Sequence, residues 1–301
     1  MESKKKLLVS VSGGETSMFM AQWLWRKMQE EYDMIFVFAN TGEENEETLH
    51  FVNSCINHFK IPVVWVEAVV HQNERKGTEH SITSYFDASR DGQPFEEVIK
   101  KYGIPNMATP HCTRELKERP INSYAKSIGW DDCSLAIGIR VDEIDRQNAK
   151  KEQMKIIYPL ISMFPTTKPM INFYWSNMPF RLDLKGYEGN CKTCWKKSDN
   201  KLYTIAKENE RKFMFFQKME MRYEKYVPES RLMLMSERGE YPKLPVRFFR
   251  GQRSVEDIVN ASKSFTGIVK DDSLPFPMPD LFSDDTNENE SCEVFSNCSE
   301  T

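Results

Sequence analysis

A turn of serine and glycine near the start of the chain has the residue types of a phosphate-binding loop. The apolar run 7–11 leads into Ser12-Gly13-Gly14, and a helix is predicted from Ser17. Two adjacent glycines let backbone N–H groups point at an anion, and a helix N-terminus carries partial positive charge. The alternative is an ordinary strand-to-helix turn, because the patterns of the P-loop and the dinucleotide fingerprint are both absent. The candidate phosphate-binding residues are Ser10, Ser12, Gly13, Gly14, Thr16 and Ser17.

Three cysteines and a histidine form a second group that could do chemistry. Cys191 and Cys194 make a C-x-x-C pair in a glycine-flanked loop, and His111-Cys112 lies upstream in a proline-flanked turn. C-x-x-C alone fits a redox pair, half a zinc site or two buried thiols. The four residues together could hold tetrahedral zinc, or an iron–sulfur cluster with three thiolates. Thiols that only pack in the core are the alternative.

Alternating strands and helices are predicted to position both groups. Apolar runs typical of buried strands occur at 7–11, 34–39, 63–70, 133–138 and 155–161. Apolar residues at helical spacing over 44–59 separate the second run from the third. This alternation predicts an α/β fold, a Rossmann-like parallel sheet with helices on both faces. Ligands of such sheets lie beyond the carboxyl ends of the strands, where 12–17, 40–43 and 138–140 are expected to meet.

Composition divides the 301 residues into three parts. We expect an α/β domain over 1–165, a helical domain carrying the C-x-x-C over 166–270, and an acidic, disordered tail over 271–301. The tail has many acidic residues and no Lys or Arg, so the formal net charge of −4 hides a net positive body. A positive body suits an anionic ligand, although an ordinary solvated surface would also give this charge.

The composition also bears on the compartment and on the use of cysteine. No run approaches the ~20 apolar residues of a spanning helix, and no signal-peptide pattern follows Met1, so we expect a cytoplasmic protein. Seven cysteines without small-domain spacing indicate thiols or metal ligands rather than a disulfide framework. Cys292 and Cys298, in the tail, have no role that the sequence assigns.

Several motifs, in this order, resemble those of the PP-loop ATP pyrophosphatase and phosphoadenosine phosphosulfate (PAPS) reductase superfamily. The turn at 12–17 is similar to its pyrophosphate loop, 38–48 to its nucleotide-side segment, and 138–146 to its G-x-R-x-D…R loop. Cys112, followed by Lys117 and the later C-x-x-C, resembles reductases that carry an iron–sulfur cluster. The resemblance covers about residues 5 to 200 and extends to phage-encoded PAPS-reductase-like proteins.

The resemblance implies an enzyme that binds an adenine nucleotide, with Mg²⁺, and transfers sulfur after activation at the α-phosphate. ATP-dependent thiolation is the leading expectation, because the Gly13-Gly14 pair is intact. One alternative is reduction of PAPS or adenylyl sulfate. The other is a non-catalytic nucleotide- or nucleic-acid-binding protein, because Glu15 and Thr16 stand where the family usually has Lys and Asp.

The resemblance also assigns residues and partners. Catalytic roles fall on Cys112, Lys117 and Arg140. Further nucleotide contacts fall on Asn40, Thr41, Gly42, Gly138, Arg140 and Asp142. A 4Fe-4S cluster, with zinc as the alternative, falls on Cys112, Cys191, Cys194 and His111, where His111 replaces the first cysteine of the family's pair. A nucleic acid, tRNA or DNA, is the expected acceptor, and a homodimer is left open.

Overall fold

A six-stranded sheet forms the centre of the protein in a computed structural model, which describes residues 3–273 except 74, 190 and 268. Its strands are β1 Lys5–Val11, β2 Tyr32–Asn40, β3 Val63–Val70, β4 Thr78–Thr83, β5 Ser134–Ala136 and β6 Ile156–Ile157. Their order across the sheet is β4-β3-β2-β1-β5-β6. Every neighbouring pair is parallel except β3 and β4. The predicted α/β fold with a mostly parallel sheet is therefore confirmed.

Helices cover both faces of this sheet. They are α1 Glu15–Lys27, α2 Glu46–Phe59, α3 Gln93–Tyr102, α4 Arg119–Ser127, α5 Pro159–Ser162, α6 Lys168–Ser176, α7 Asp199–Glu208, α8 Met214–Tyr223, α9 Glu229–Glu237 and α10 Val255–Ser264. Successive strand residues point to opposite faces. Phe36 and Phe38 of β2 accordingly join the core under α1, α2 and α6, whereas Val37 joins a separate core with Ile121 and Ala125 of α4.

The sheet differs from the sequence prediction at both edges. β4 was missed because Ile82 is its one aliphatic residue, and this strand pairs antiparallel with β3 at the sheet edge. The strand predicted over 155–161 ends at Ile157, because Pro159 begins α5. Proline has no N–H to donate to a neighbouring strand and is well tolerated in the first turn of a helix.

A third core, separate from the two on the faces of the sheet, holds the C-terminal helices against the sheet layer. Phe213, Phe216 and Phe248 are fully buried there. Phe95 and Val98 of α3 belong to the same core. Because α3 packs against both β3 and α8, this shared core fixes the C-terminal region against the sheet.

Among the helices that the structure describes, none is both long enough and apolar enough to cross a bilayer.

Trp175 of α6 connects this helix to the start of α1. Its side chain is fully buried, and its indole N–H donates to the Glu15 carbonyl over 3.0 Å. The Phe51 ring of α2 packs edge-on against it, with centroids 4.8 Å apart. Trp175 therefore supports the turn at 12–17 from behind.

We expect Trp175→Ala to lower the free energy of unfolding by about 3–5 kcal/mol, because the cavity would be large and the Glu15 carbonyl would lose its donor. Urea denaturation followed by circular dichroism measures the loss. Phe173→Ala, in the same helix but at a side chain that is 59% exposed, is the control and should change stability by less than about 0.5 kcal/mol. Equal losses in the two variants would contradict this account of α6.

Candidate functional site

The turn at 12–17 has a backbone that requires glycine at one position. Gly13 has φ +88°, and a Cβ there would lie 2.6 Å from Cγ2 of Thr48. The Ser12 hydroxyl donates to Ser17 Oγ over 3.0 Å, and Ser17 Oγ donates to the Gly14 carbonyl over 3.0 Å. Left-handed backbone and close packing therefore both exclude a side chain at Gly13. The buried Ser10 hydroxyl has no hydrogen-bond partner among the described residues.

The N-terminus of α1 opens directly from this turn. Gly14 is its N-cap, in an extended conformation, and no side chain of the described residues caps the helix there. The first-turn N–H groups of a helix have no intrahelical partner and attract anions. The α1 N-terminus is therefore available to a phosphate.

A cavity of about 180 Å³, which we call the phosphate cavity, lies over this N-terminus. One wall comes from the sheet domain and includes Ser12, Gly14, Thr16, Ser17, Gly138 and Arg140. The opposite wall comes from the C-terminal region and includes Lys168, Lys185, Cys191, Cys194, Lys197 and Lys201. Hydroxyls, first-turn amides and cations thus face the same space, and this combination suits a polyphosphate.

Arg140 lies at the carboxyl end of the sheet, as the sequence predicted, and contacts the turn directly. Its guanidinium donates to the Thr16 hydroxyl over 2.9 Å and pairs with Asp142 and Glu143, each over 3.0 Å. A Cβ at Gly138 would lie 3.0 Å from Cα of Ser17, so the segment after β5 approaches α1 closely. Arg140 is therefore held rigidly beside the helix N-terminus.

Other residues assigned to the nucleotide lie elsewhere. Asn40 is fully buried, and its amide donates to Glu67 over 2.6 Å and to the Ser89 carbonyl over 2.9 Å. Its Oδ1 accepts from the Gly42 N–H over 3.3 Å. Asn40, Thr41, Gly42 and Asp142 are not among the residues that line the phosphate cavity. Asn40 thus has a structural role in shaping the end of β2.

The three cysteines of the predicted metal group line a second, smaller cavity, which we call the thiol cavity. Its walls include Cys112, Cys191 and Cys194, together with Thr41 and Lys117. Its volume is about 20 Å³, room for about one water molecule. Cys191 and Cys194 line the phosphate cavity as well, so the two cavities share a wall.

The C-x-x-C loop is held in place by the segment that follows β2. Glu44 and Cys191 form an isolated antiparallel bridge, and the Lys192 N–H donates to the Glu43 carbonyl over 3.1 Å. The Asn45 side chain donates to the Gly189 carbonyl over 3.1 Å. Contacts of residues 43–45 with Gly189, Cys191 and Lys192 therefore bring the distant loop to the end of the sheet.

Charged side chains lie close to the thiols of this cavity. The Lys117 ammonium lies 3.4 Å from a carboxylate oxygen of Glu44, and both side chains are buried. The Cys191 thiol lies 3.9 Å from the same oxygen. Lys197 is buried and donates to the Cys191 carbonyl over 2.7 Å. Burial lowers the pKa of Lys197, while the neighbouring Cys194 and Cys191 oppose that shift.

His111 is separated from the thiols by its orientation. Its Nε2 lies 3.1 Å from the Gly103 carbonyl, and its ring packs against Tyr102. Burial lowers the pKa of His111 to about 4, so the ring is neutral at physiological pH. His111 does not line the thiol cavity. Across the described residues, no group of three or more His, Cys, Asp or Glu side chains is arranged to hold a metal ion.

Glu15, one of the two unusual residues of the turn, has a partner that the sequence did not reveal. Its carboxylate is buried and receives two hydrogen bonds from Arg181, over 3.0 and 3.1 Å. Burial raises the pKa of Glu15, and the hydrogen bond and charge of Arg181 partly offset that shift. The pair joins the first turn of α1 to the segment after α6 and neutralises a carboxylate beside the phosphate cavity.

We expect Arg181→Met to destabilise the protein by roughly 2–4 kcal/mol, because it leaves the buried Glu15 carboxylate without its partner. A raised carboxyl pKa means that the folded state binds protons more tightly than the unfolded state, so stability falls as pH rises. The loss should therefore be larger at about pH 8 than at about pH 5 in urea unfolding. The double variant Glu15→Gln with Arg181→Met should recover most of it, and Arg238→Met, at an exposed arginine, is the control.

Comparison with known proteins agrees with this architecture. Residues 6–168 match the phosphoadenosine phosphosulfate reductase domain. The chain is 29% identical to the nin region protein ORF290 of Escherichia phage lambda over 207 residues, which is 67% of this chain and 70% of that protein. It is 25% identical to protein MJ0066 of Methanocaldococcus jannaschii over 179 residues, 58% of this chain but only 30% of that protein. The matched domain, which spans more than half of the chain, contains all of the sheet except Lys5, together with the turn at 12–17 and Arg140; the chain therefore belongs to the phosphoadenosine phosphosulfate reductase domain family.

Proposed function

We propose that this protein binds ATP in the phosphate cavity and activates an acceptor at the α-phosphate for sulfur transfer at the thiol cavity. The observation that carries the proposal is the wall shared by the two cavities, which Cys191 and Cys194 form. Membership of an adenine-nucleotide-binding family supports the nucleotide. The first-turn amides of α1 and the basic residues around them support a polyphosphate.

The first step of the proposed reaction is attack of an acceptor oxygen on the α-phosphorus. A bond forms between that oxygen and phosphorus, the bond from phosphorus to the bridging oxygen breaks, and pyrophosphate leaves. Preorganised donors at the leaving group lower this barrier, since charge accumulates there in the transition state. Amides at Glu15–Ser17 and the cations Arg140, Lys168 and Lys201 are the groups in the cavity that would supply them. Sulfur transfer then requires a sulfide-level sulfur donor: its sulfur bonds to the acceptor carbon, the carbon–oxygen bond breaks, and AMP leaves with that oxygen.

Mg²⁺ is proposed as the counter-ion of the nucleotide phosphates rather than as a resident of a protein site. Asp142 is already paired with Arg140 and accepts from the Lys168 N–H over 3.2 Å. Glu143 is paired with Arg140 and Arg146. Mg²⁺ is commonly bound through substrate phosphates plus one or two carboxylates, and Glu143 lines the cavity.

The thiols suit an iron–sulfur cluster in kind and in charge. Cys112, Cys191 and Cys194 are soft ligands around one space, and Lys117 and Lys197 offset thiolate charge there. A fourth zinc ligand is less well supported, because His111 faces Gly103. The space between the thiols holds about one water molecule, so binding a cluster requires its walls to move apart. Cys112, Cys191 and Cys194 are the residues that would hold such a cluster, which would supply iron that can bind sulfur.

We expect Gly14→Asp to weaken ATP binding by at least about 100-fold and to abolish pyrophosphate release, because a carboxylate would stand at the helix N-terminus. Gly14 has φ −86°, which any residue adopts, so the substitution changes charge without straining the backbone. Isothermal titration calorimetry measures binding, and pyrophosphate release is assayed with and without tRNA or DNA.

Gly77→Asp is the matched control: Gly77 is exposed, lies outside both cavities and has no left-handed backbone, and a Cβ there would lie 3.2 Å from a guanidinium nitrogen of Arg119. Equal ATP affinity in the two variants would remove the premise of the proposal. If ATP binds but no pyrophosphate is released, whether ATP is alone or with tRNA or DNA, the result would favour a non-catalytic nucleotide-binding protein. Sulfite formed from PAPS, with no reaction of ATP, would assign the chain to the reductases instead.

We expect protein purified without oxygen to be brown, to absorb broadly near ~400 nm and to contain about four iron atoms per chain. Cys112→Ala should lose both the iron and the absorption, because it removes one of the three thiols of the cavity. Cys133→Ala, at a half-buried thiol outside that cavity, is the control and should keep both. Stoichiometric zinc without iron, or unchanged iron in Cys112→Ala, would disprove the cluster and leave the nucleotide proposal intact.

A further inference from the structure

A short acidic segment after α10 reaches the phosphate cavity from outside the matched domain. We call the residues Asp271–Ser273 the acidic strap. Asp272 and Ser273 both line the cavity. The strap thus brings a further carboxylate next to the groups that would bind polyphosphate.

Three hydrogen bonds seat the strap on the C-terminal wall. The Gly186 N–H donates to Asp271 Oδ1 over 2.8 Å. The Asn172 side chain donates to the Asp272 carbonyl over 2.8 Å, and Arg181 donates to the Ser273 carbonyl over 2.8 Å. Each donor lies on a different part of the wall, so the strap has a defined seat.

The Asp272 carboxylate adds an electrostatic contact to this seat. It lies 3.9 Å from the Lys168 ammonium and is about half exposed. Of the carboxylates that line the cavity, Glu15 is paired with Arg181 and Glu143 with Arg140, in each case with both side chains mostly buried. Asp272 has the most exposed of these ion pairs. A long-distance, exposed pair is weak, so Asp272 can exchange Lys168 for a stronger anion.

Gly186 makes the approach of Asp272 sterically possible. A Cβ at Gly186 would lie 1.7 Å from Asp272 Oδ1 and 2.8 Å from its Cγ. These separations are far below van der Waals contact, so a side chain at this position would push the Asp272 carboxylate out of its seat. The contact between Asp272 and residue 186 therefore requires that residue 186 carry no side chain.

From this geometry we propose that the acidic strap is an internal competitor of the nucleotide, seated against Lys168 until a polyphosphate displaces it. The inference rests on the proposed function, since it assigns regulation to the same cavity. A carboxylate in the cavity repels phosphate and occupies a cation that phosphate would use. Because ATP has to displace the strap, the full chain binds ATP more weakly than a chain without the strap would. Removing the strap therefore raises the affinity for the nucleotide.

The test compares ATP affinity in the full chain and five variants by isothermal titration calorimetry. A chain ending at Lys270, Asp272→Asn and Gly186→Ala should each bind ATP roughly three- to tenfold more tightly than the full chain, as expected for loss of a weak ion pair and of like-charge repulsion. Asp131→Asn, at an exposed carboxylate, makes the same charge change away from the cavity and should bind as the full chain does. Gly186→Ala should have no further effect in the shortened chain, because the strap it displaces is gone.

Trypsin cleavage after the exposed Lys270 gives a second measurement on the full chain. Saturating ATP should accelerate cleavage there, because the displaced strap is accessible. Equal ATP binding by the full and the shortened chain would overturn the inference. Weaker binding by the shortened chain, or slower cleavage with ATP, would overturn it too and would mean that the strap completes the nucleotide site. Absence of ATP binding in both the full and the shortened chain would instead disprove the proposed function.

Discussion

The left-handed backbone at Gly13 is the constraint on which the rest of the site depends. It lies within the three residues that turn the chain from β1 into α1, with Thr48 of α2 too close to allow any side chain. This turn leaves the first residues of α1 lining the phosphate cavity. Arg140 then reaches Thr16 because Gly138 lets the segment after β5 approach the same helix. Gly13 therefore shapes the turn that leads into α1, and Gly138 sets how closely Arg140 approaches the N-terminus of that helix.

The two cavities are joined by chain pairing rather than by sequence proximity. The segment after β2 forms the bridge between Glu44 and Cys191, and Glu44 also contacts Lys117, five residues after Cys112. A buried carboxylate thus lies among the three thiols and two lysines of this region. Burial strengthens each electrostatic interaction among these groups. A ligand that brings charge into the thiol cavity therefore interacts with Glu44 and both lysines together.

Much of the fold followed from the sequence, because buried parallel strands are continuous apolar runs. β2 and β3 were predicted within two residues of their ends, whereas β4, a polar edge strand, carries no such signal. The turn at 12–17 and Arg140 could be placed together from the sequence, because both lie beside strand ends. The Glu15–Arg181 pair could not, since a solvated arginine and a buried one look alike in sequence. It arises only where the segment after α6 packs against the first turn of α1.

The Glu15–Arg181 pair has a consequence for where the functional unit ends. A carboxylate in the first turn favours helix formation, since it complements the helix dipole, but it opposes an anionic ligand at the same place. Arg181 cancels that opposition, and it lies beyond the matched residues 6–168. A fragment limited to those residues would retain the strand, the turn and the helix while presenting an uncompensated negative charge to phosphate. The ligand-binding unit is therefore larger than the unit of sequence similarity, and grafting the turn alone onto another α/β scaffold would transfer its shape without its charge.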